Sequence, residues 1–203
     1  MKRVFIVLVF VLFGYAGDGV FNLERNKKLC RENNASACYT AAMLLYTGYK
    51  GTAKAPLESI DYYETACALG KFKACIWLGG AYMSGDYFPK DYPHAIALLE
   101  EPCRHKFHAA CFAIATAYSN QKKHRQALAY YDKTCKLNNF NACNIAGTIY
   151  MTGERFGVDI NYTKAIEYYE KACDPNRSKS GFGACKKNIL KAARMLYQNS
   201  KRK

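Results

Sequence analysis

Lys164-Ala165-Ile166-Glu167-Tyr168-Tyr169-Glu170-Lys171-Ala172-Cys173 decides the fold, because the chain contains this stretch again and again. It returns as Ser59-Ile60-Asp61-Tyr62-Tyr63-Glu64-Thr65-Ala66-Cys67, as Ala95 to Cys103, and as Ala127-Leu128-Ala129-Tyr130-Tyr131-Asp132-Lys133-Thr134-Cys135. The terminal cysteines lie 36, 32 and 38 residues apart. A unit of that period is one helical hairpin of a solenoid, which cannot bury its apolar stripe alone and stacks on its neighbours to do so. The chain therefore reads as all-α.

Working outward, a second cysteine follows each first one. Cys30/Cys38, Cys67/Cys75, Cys103/Cys111 and Cys135/Cys143 share a Cys-x7-Cys spacing, and Cys173/Cys185 is stretched by residues 174–181. In one continuous helix, residues eight apart stand about 12 Å apart. A disulfide needs Cα atoms within about 7 Å, so if these pairs bond, the chain turns back between them. Asn33-Asn34, Gly70 and Asn138-Asn139 are helix-ending residues in the right places.

After each second cysteine we expect a helix A, with Ala41-Ala42, Leu78-Gly79, Ile114-Ala115 and Ala146-Gly147 at one repeat position and Tyr82, Tyr118 and Tyr150 further on. Gly48, Gly85 and Gly153 would end it. A loop leads to helix B, whose Ile60, Ile96, Leu128 and Ile166 and following Tyr-Tyr or Leu-Leu pair form a buried stripe. The third loop is cut to about Gln121-Lys122-Lys123-His124, and Pro102 in the second helix B is expected to distort its last turn. The boundaries read as an N-terminal cap over 22–37 and repeats at about 38–74, 75–110, 111–142 and 143–184. A capping helix over 184–198 and a basic tail follow.

The N-terminus reads as an export signal over 1–16. Lys2 and Arg3 precede the apolar run Val4 to Phe13, and Gly14-Tyr15-Ala16 supplies a small-residue exit. That run is too short to span a membrane, and no later stretch approaches about 20 apolar residues. The single domain 17–203 is then secreted or periplasmic, an oxidising setting that suits ten cysteines. Removing Lys2 and Arg3 lowers the formal charge from +14 to +12.

The pattern Leu-Gly-x-x-Tyr-x-x-Gly followed by Lys-Ala-x-x-Tyr-Tyr-x-Lys-Ala-Cys resembles Sel-1-like repeats. With cysteines eight apart in repeat after repeat, the chain is similar to the Helicobacter cysteine-rich protein family within them. The resemblance runs from about Asn22 to Leu196. It implies a right-handed αα superhelix of the TPR-like kind with one disulfide per repeat, drawn from Cys30, Cys38, Cys67, Cys75, Cys103, Cys111, Cys135, Cys143, Cys173 and Cys185. It also implies either of two roles: a scaffold holding proteins or peptides on its concave face, or a weak penicillin-binding protein or β-lactamase.

The residues bear on these roles unequally. A serine β-lactam hydrolase needs Ser-x-x-Lys with Ser-Asp-Asn and Lys-Thr-Gly elements. Ser119-Asn120-Gln121-Lys122 matches the first and the other two do not occur, so no catalytic residue is assigned. His105 and His108 between Cys103 and Cys111 would suit zinc in a reducing compartment. The shared register favours a disulfide there, and neither a metal nor a cofactor is expected. Glu64, Glu100, Asp132 and Glu170, each three before a cysteine, read as a solvated face of helix B.

Binding residues are expected on helix A, two and five after the cysteine: Thr40, Met43, Trp77, Thr116 and Thr148, beside Gly80, Ala113 and Ile145. Trp77, the sole tryptophan, is equally an aromatic platform or an inter-repeat packing group. The expected partner is a protein or peptide, with the basic charge favouring an acidic one, or a β-lactam or peptidoglycan-related ligand. Nucleic acid is not expected after export. Asn34 and Asn161 sit in acidic-extended sequons that some bacterial N-glycosylation systems use.

Overall fold

A computed structural model describes residues 21–173 and 179–201, and the export signal read over 1–16 lies outside them. The described residues form ten α-helices and no strand: α1 Leu23–Arg31, α2 Ala35–Thr47, α3 Pro56–Ala68, α4 Phe72–Ser84, α5 Tyr92–Arg104, α6 His108–Asn120, α7 His124–Lys136, α8 Phe140–Thr152, α9 Tyr162–Ala172 and α10 Lys179–Ser200. From α1 to α3 and from α5 to α10 each helix packs on the next, the architecture of an αα-hairpin repeat solenoid. The chain divides into two compact units between Leu78 and Gly79, inside α4.

The turns from helix B to the following helix A share one construction. The residue three after the first cysteine is left-handed in all four: Asn33 at φ 62°, Gly70 at 82°, Lys106 at 63° and Asn138 at 61°. The next N–H then reaches back over the helix end, from Asn34 to Leu29 O (3.1 Å), Lys71 to Ala66 O (2.8 Å), Phe107 to Pro102 O (3.1 Å) and Asn139 to Thr134 O (3.2 Å). This is the Schellman closure, which satisfies carbonyls orphaned at a helix C-terminus. That same residue opens the next helix. Asn34 Oδ1 accepts from Ala37 N–H and Asn139 Oδ1 from Ala142 N–H, both at 3.0 Å. Helix A thus begins three residues before the second cysteine rather than after it, and in two of the four turns an asparagine caps it there.

This turn sets the two cysteines side by side. Cys30–Cys38, Cys67–Cys75, Cys103–Cys111 and Cys135–Cys143 are disulfides with Cα–Cα distances of 4.6–4.8 Å, and Cys173–Cys185 closes a longer loop at 5.6 Å. Each bridge joins the end of one hairpin to the start of the next.

Close packing inside a hairpin depends on the small residue four after the second cysteine. A Cβ added to Gly79 would stand 2.7 Å from buried Leu99, and one added to Gly147 would stand 2.9 Å from the ring of buried Tyr169. Ala42 and Ala115 fill the same slot in the other repeats and are fully buried. In the second unit, Ala115, Ala127, Tyr131, Ala142, Ala146 and Ile149 form the largest part of one core. Pro102 does not break α5, which continues to Arg104 with Pro102 buried inside it. The capping helix is longer than expected, Lys179–Ser200 against 184–198.

Candidate binding surfaces

In the first unit, helix spacing gathers an aromatic patch. Tyr39, Met43 and Tyr46 recur at i, i+4 and i+7 along one face of α2, all half-buried. Trp77 of α4 lies against this face, its ring 5.0 Å from Tyr46 edge-on and stacked at 4.0 Å and 16° on Tyr63 of α3. Tyr63 in turn meets Tyr39 edge-on at 5.8 Å. Burial, with Tyr39 and Tyr46 beside it, raises the Tyr63 hydroxyl well above the usual phenol range. Trp77 is therefore a packing group that keeps part of its ring at the surface. The sequence singled out Met43 and Trp77 but not Tyr39 and Tyr46, although the i, i+4, i+7 spacing was there to be read.

Thr40 is turned to a different use. Its hydroxyl donates to Ser36 O at 2.8 Å, and it lines a shallow cleft of about 230 Å³ with Arg25, Asn26, Leu29 and Asn34.

In α6 and α8 of the second unit the two positions equivalent to Met43 are threonines. Thr116 Oγ1 donates to Phe112 O at 3.0 Å, and Thr148 Oγ1 donates to Asn144 O at 2.9 Å. Thr148 Oγ1 also shares a hydrogen bond with Tyr169 Oη (3.1 Å). Asn188 Nδ2 of α10 donates to Asn144 Oδ1 at 3.0 Å, joining two helices through a pair of half-buried amides. Hydroxyl and amide groups here could meet main-chain groups of a partner; they offer no apolar seat. Ser119 sits half-buried in the last turn of α6, its carbonyl accepting Lys122 N–H at 2.9 Å as the helix ends.

The helix B carboxylates do more than meet solvent. Tyr130 Oη donates to Glu100 Oε1 at 2.9 Å and Tyr168 Oη to Asp132 Oδ1 at 2.5 Å, each across to the preceding hairpin. Tyr118 stacks on Tyr130 and Tyr150 on Tyr168, both at 5.6 Å. Lys133 and Lys171 lie over the Tyr130 and Tyr168 rings. Burial works to raise the Asp132 carboxyl, but hydrogen bonds from Lys136 and Tyr168 outweigh it and hold it below the usual range. Burial and the bond to Glu100 push Tyr130 up to about 12. The reading of these carboxylates as a merely solvated face is thus corrected: at Glu100 and Asp132 they tie one repeat to the next, while Glu64 and Glu170 are exposed.

The cysteine–histidine segment is a turn. Cys103 and Cys111 are bonded to each other, His105 Nε2 meets Glu101 Oε1 at 2.9 Å, and His108 Nδ1 meets Asn139 Nδ2 at 3.3 Å. Among the described residues, no group of three His, Cys, Asp or Glu side chains is placed to hold a metal ion. Asn34 and Asn161, the sequon asparagines, are both helix N-caps.

The family comparison agrees with this architecture. The Sel1 repeat model matches four segments, 35–71, 72–101, 108–139 and 141–174. Among solved structures, c5321, a protective antigen of uropathogenic Escherichia coli with an SLR fold, superposes with a TM-score of 0.66 at 22% identity. That match covers 77% of this chain but 34% of the other, so the chain spans about a third of its length. A Sel1 repeat protein from Oxalobacter formigenes gives a TM-score of 0.63 at 20% identity, covering 87% of this chain and 78% of that one. Helicobacter pylori cysteine rich protein B is 23% identical over 80% of this chain and 90% of its own, at a TM-score of only 0.26. No curated protein matches the chain by sequence. Four matched segments cover well over half of the residues, each holding a helical hairpin or most of one, and the chain belongs to the Sel1 repeat family.

Proposed function

We propose that this chain is an exported interaction module that seats an apolar or aromatic side chain of a protein or peptide partner on the Met43–Trp77 patch. Sel1-repeat proteins act as protein-interaction modules. Five disulfides suit an oxidising compartment outside the cytoplasm, which supports the export reading of residues 1–16. The observation that carries the proposal is the Trp77 ring. It is fixed from two sides by Tyr46 and Tyr63 and keeps surface next to the polarizable Met43 face. Rigid aromatic anchors lose little entropy on binding and dominate interface energetics. A net charge of +12 once Lys2 and Arg3 are removed favours acidic residues around the partner's apolar anchor.

A random peptide library displayed against the disulfide-bonded protein tests this directly. Selected peptides should carry an aromatic or large aliphatic residue near Asp or Glu and should shift the emission of Trp77, the only tryptophan. Trp77→Ala and Met43→Ala should each weaken them roughly tenfold or more, in the range of interface hot spots. Peptides that bind both variants as tightly as the parent chain would place the interaction elsewhere.

A further inference from the structure

The last helix carries a surface that the hairpin packing does not use. α10 packs inward through Cys185, Ile189 and Ala192, with Ala192 fully buried against Ala165 and Tyr169. On the opposite side of the same helix, Leu190 is 71% exposed and Tyr197 is 60% exposed. Residues seven apart lie two turns apart on one line, about 10 Å. Lys186, Lys187, Arg194 and Lys201 fall on this outer face by helical spacing, and Lys201 Nζ stands 4.7 Å over the Tyr197 ring. The sequence from Lys179 to Lys203 holds no Asp or Glu. Two large apolar groups thus sit among cations on a helix whose sequence carries no acidic residue.

We propose that the outer face of α10 docks this protein on an anionic lipid surface. The chemistry is that of an interfacial contact: lysine and arginine attracted to negative headgroups, Tyr197 at headgroup level, and Leu190 reaching the acyl boundary. The face is the convex side of a single helix, with its apolar groups spaced among charges. That form suits a flat, deformable surface better than a partner that must close around it. The contact lies on the surface and does not span it, and no described helix is long and apolar enough to cross a membrane.

Co-sedimentation of the full chain, with disulfides formed, tests the proposal on two kinds of vesicle. One contains equal parts phosphatidylglycerol and phosphatidylcholine, the other phosphatidylcholine alone. Lys2 and Arg3 beside the apolar segment Val4 to Phe13, and the other cations of the chain, also favour anionic vesicles, so the part due to α10 is read from its own variants against the parent chain. Binding should favour the anionic vesicles and weaken as salt screens it. Reversing Lys186, Lys187 and Arg194 to Glu should reduce that preference by about a hundredfold, from a few-fold loss per basic residue removed. Leu190→Ser with Tyr197→Ser should reduce it several-fold. Circular dichroism shows whether each variant remains folded, as expected for changes at exposed positions. Equal binding to both vesicles, or a preference untouched by the charge reversals in folded protein, overturns the proposal. So does failure on vesicles with charge-dependent capture of an acidic peptide instead.

Discussion

Reducing and alkylating all ten cysteines is expected to unfold the chain at room temperature. Each local bridge closes a loop of about nine residues and stabilises by roughly 2–3 kcal/mol in the chain-entropy model. Five such terms are as large as the whole net stability of an ordinary domain, about 5–15 kcal/mol. A single bridge gives the graded version. Cys135→Ala with Cys143→Ala should lower the melting temperature by roughly 5–10 °C, at about 2–4 °C per kcal/mol for a chain of this size. Because Cys111 and Cys143 are almost fully buried, reduction must be done in denaturant and the blocked protein then returned to buffer. Circular dichroism of that protein should show little cooperative melting. A blocked protein that melts where the oxidised one does would mean that helix packing alone holds the solenoid.

The second large effect belongs to Tyr169. Its ring fills the space left by Gly147, is fully buried with Ala165 and Ala192, and its hydroxyl meets Thr148 and Met151 Sδ. Tyr169→Ala empties an aromatic site where backbone and neighbours cannot collapse freely, and should cost about 3–5 kcal/mol. Tyr169→Phe keeps the ring and loses one hydrogen bond, about 0.5–1.5 kcal/mol. Urea denaturation of the three proteins separates these. Equal losses for Ala and Phe would show that the hydroxyl, not the packing against Gly147, holds the last hairpin together.

The repeat was legible because its signals are local. The cysteine spacing, the asparagines at 33–34 and 138–139 and the glycines after helix A each encode a turn within a few residues. Lys106 shows where this fails: it adopts the same left-handed turn as Gly70, but lysine carries no sign of it, and only the alignment of the repeats points there. Pairings across repeats were less visible still. Nothing near Glu100 in sequence marks Tyr130, thirty residues on, as its hydrogen-bond donor. Trp77 stayed ambiguous for the same reason, since its packing partners Tyr46 and Tyr63 lie on two other helices. The basic outer face of α10 was written in the sequence as charge, yet only the placement of Ile189 and Ala192 inward shows Leu190 and Tyr197 to be outward.

The most direct test of the account is peptide mapping by mass spectrometry of the native protein without reduction. Five local pairs should appear, Cys30–Cys38, Cys67–Cys75, Cys103–Cys111, Cys135–Cys143 and Cys173–Cys185, with no free thiol. Free cysteines, or links such as Cys38–Cys67 that join the two ends of one hairpin, would contradict it: the repeat register and the oxidising compartment would both fall.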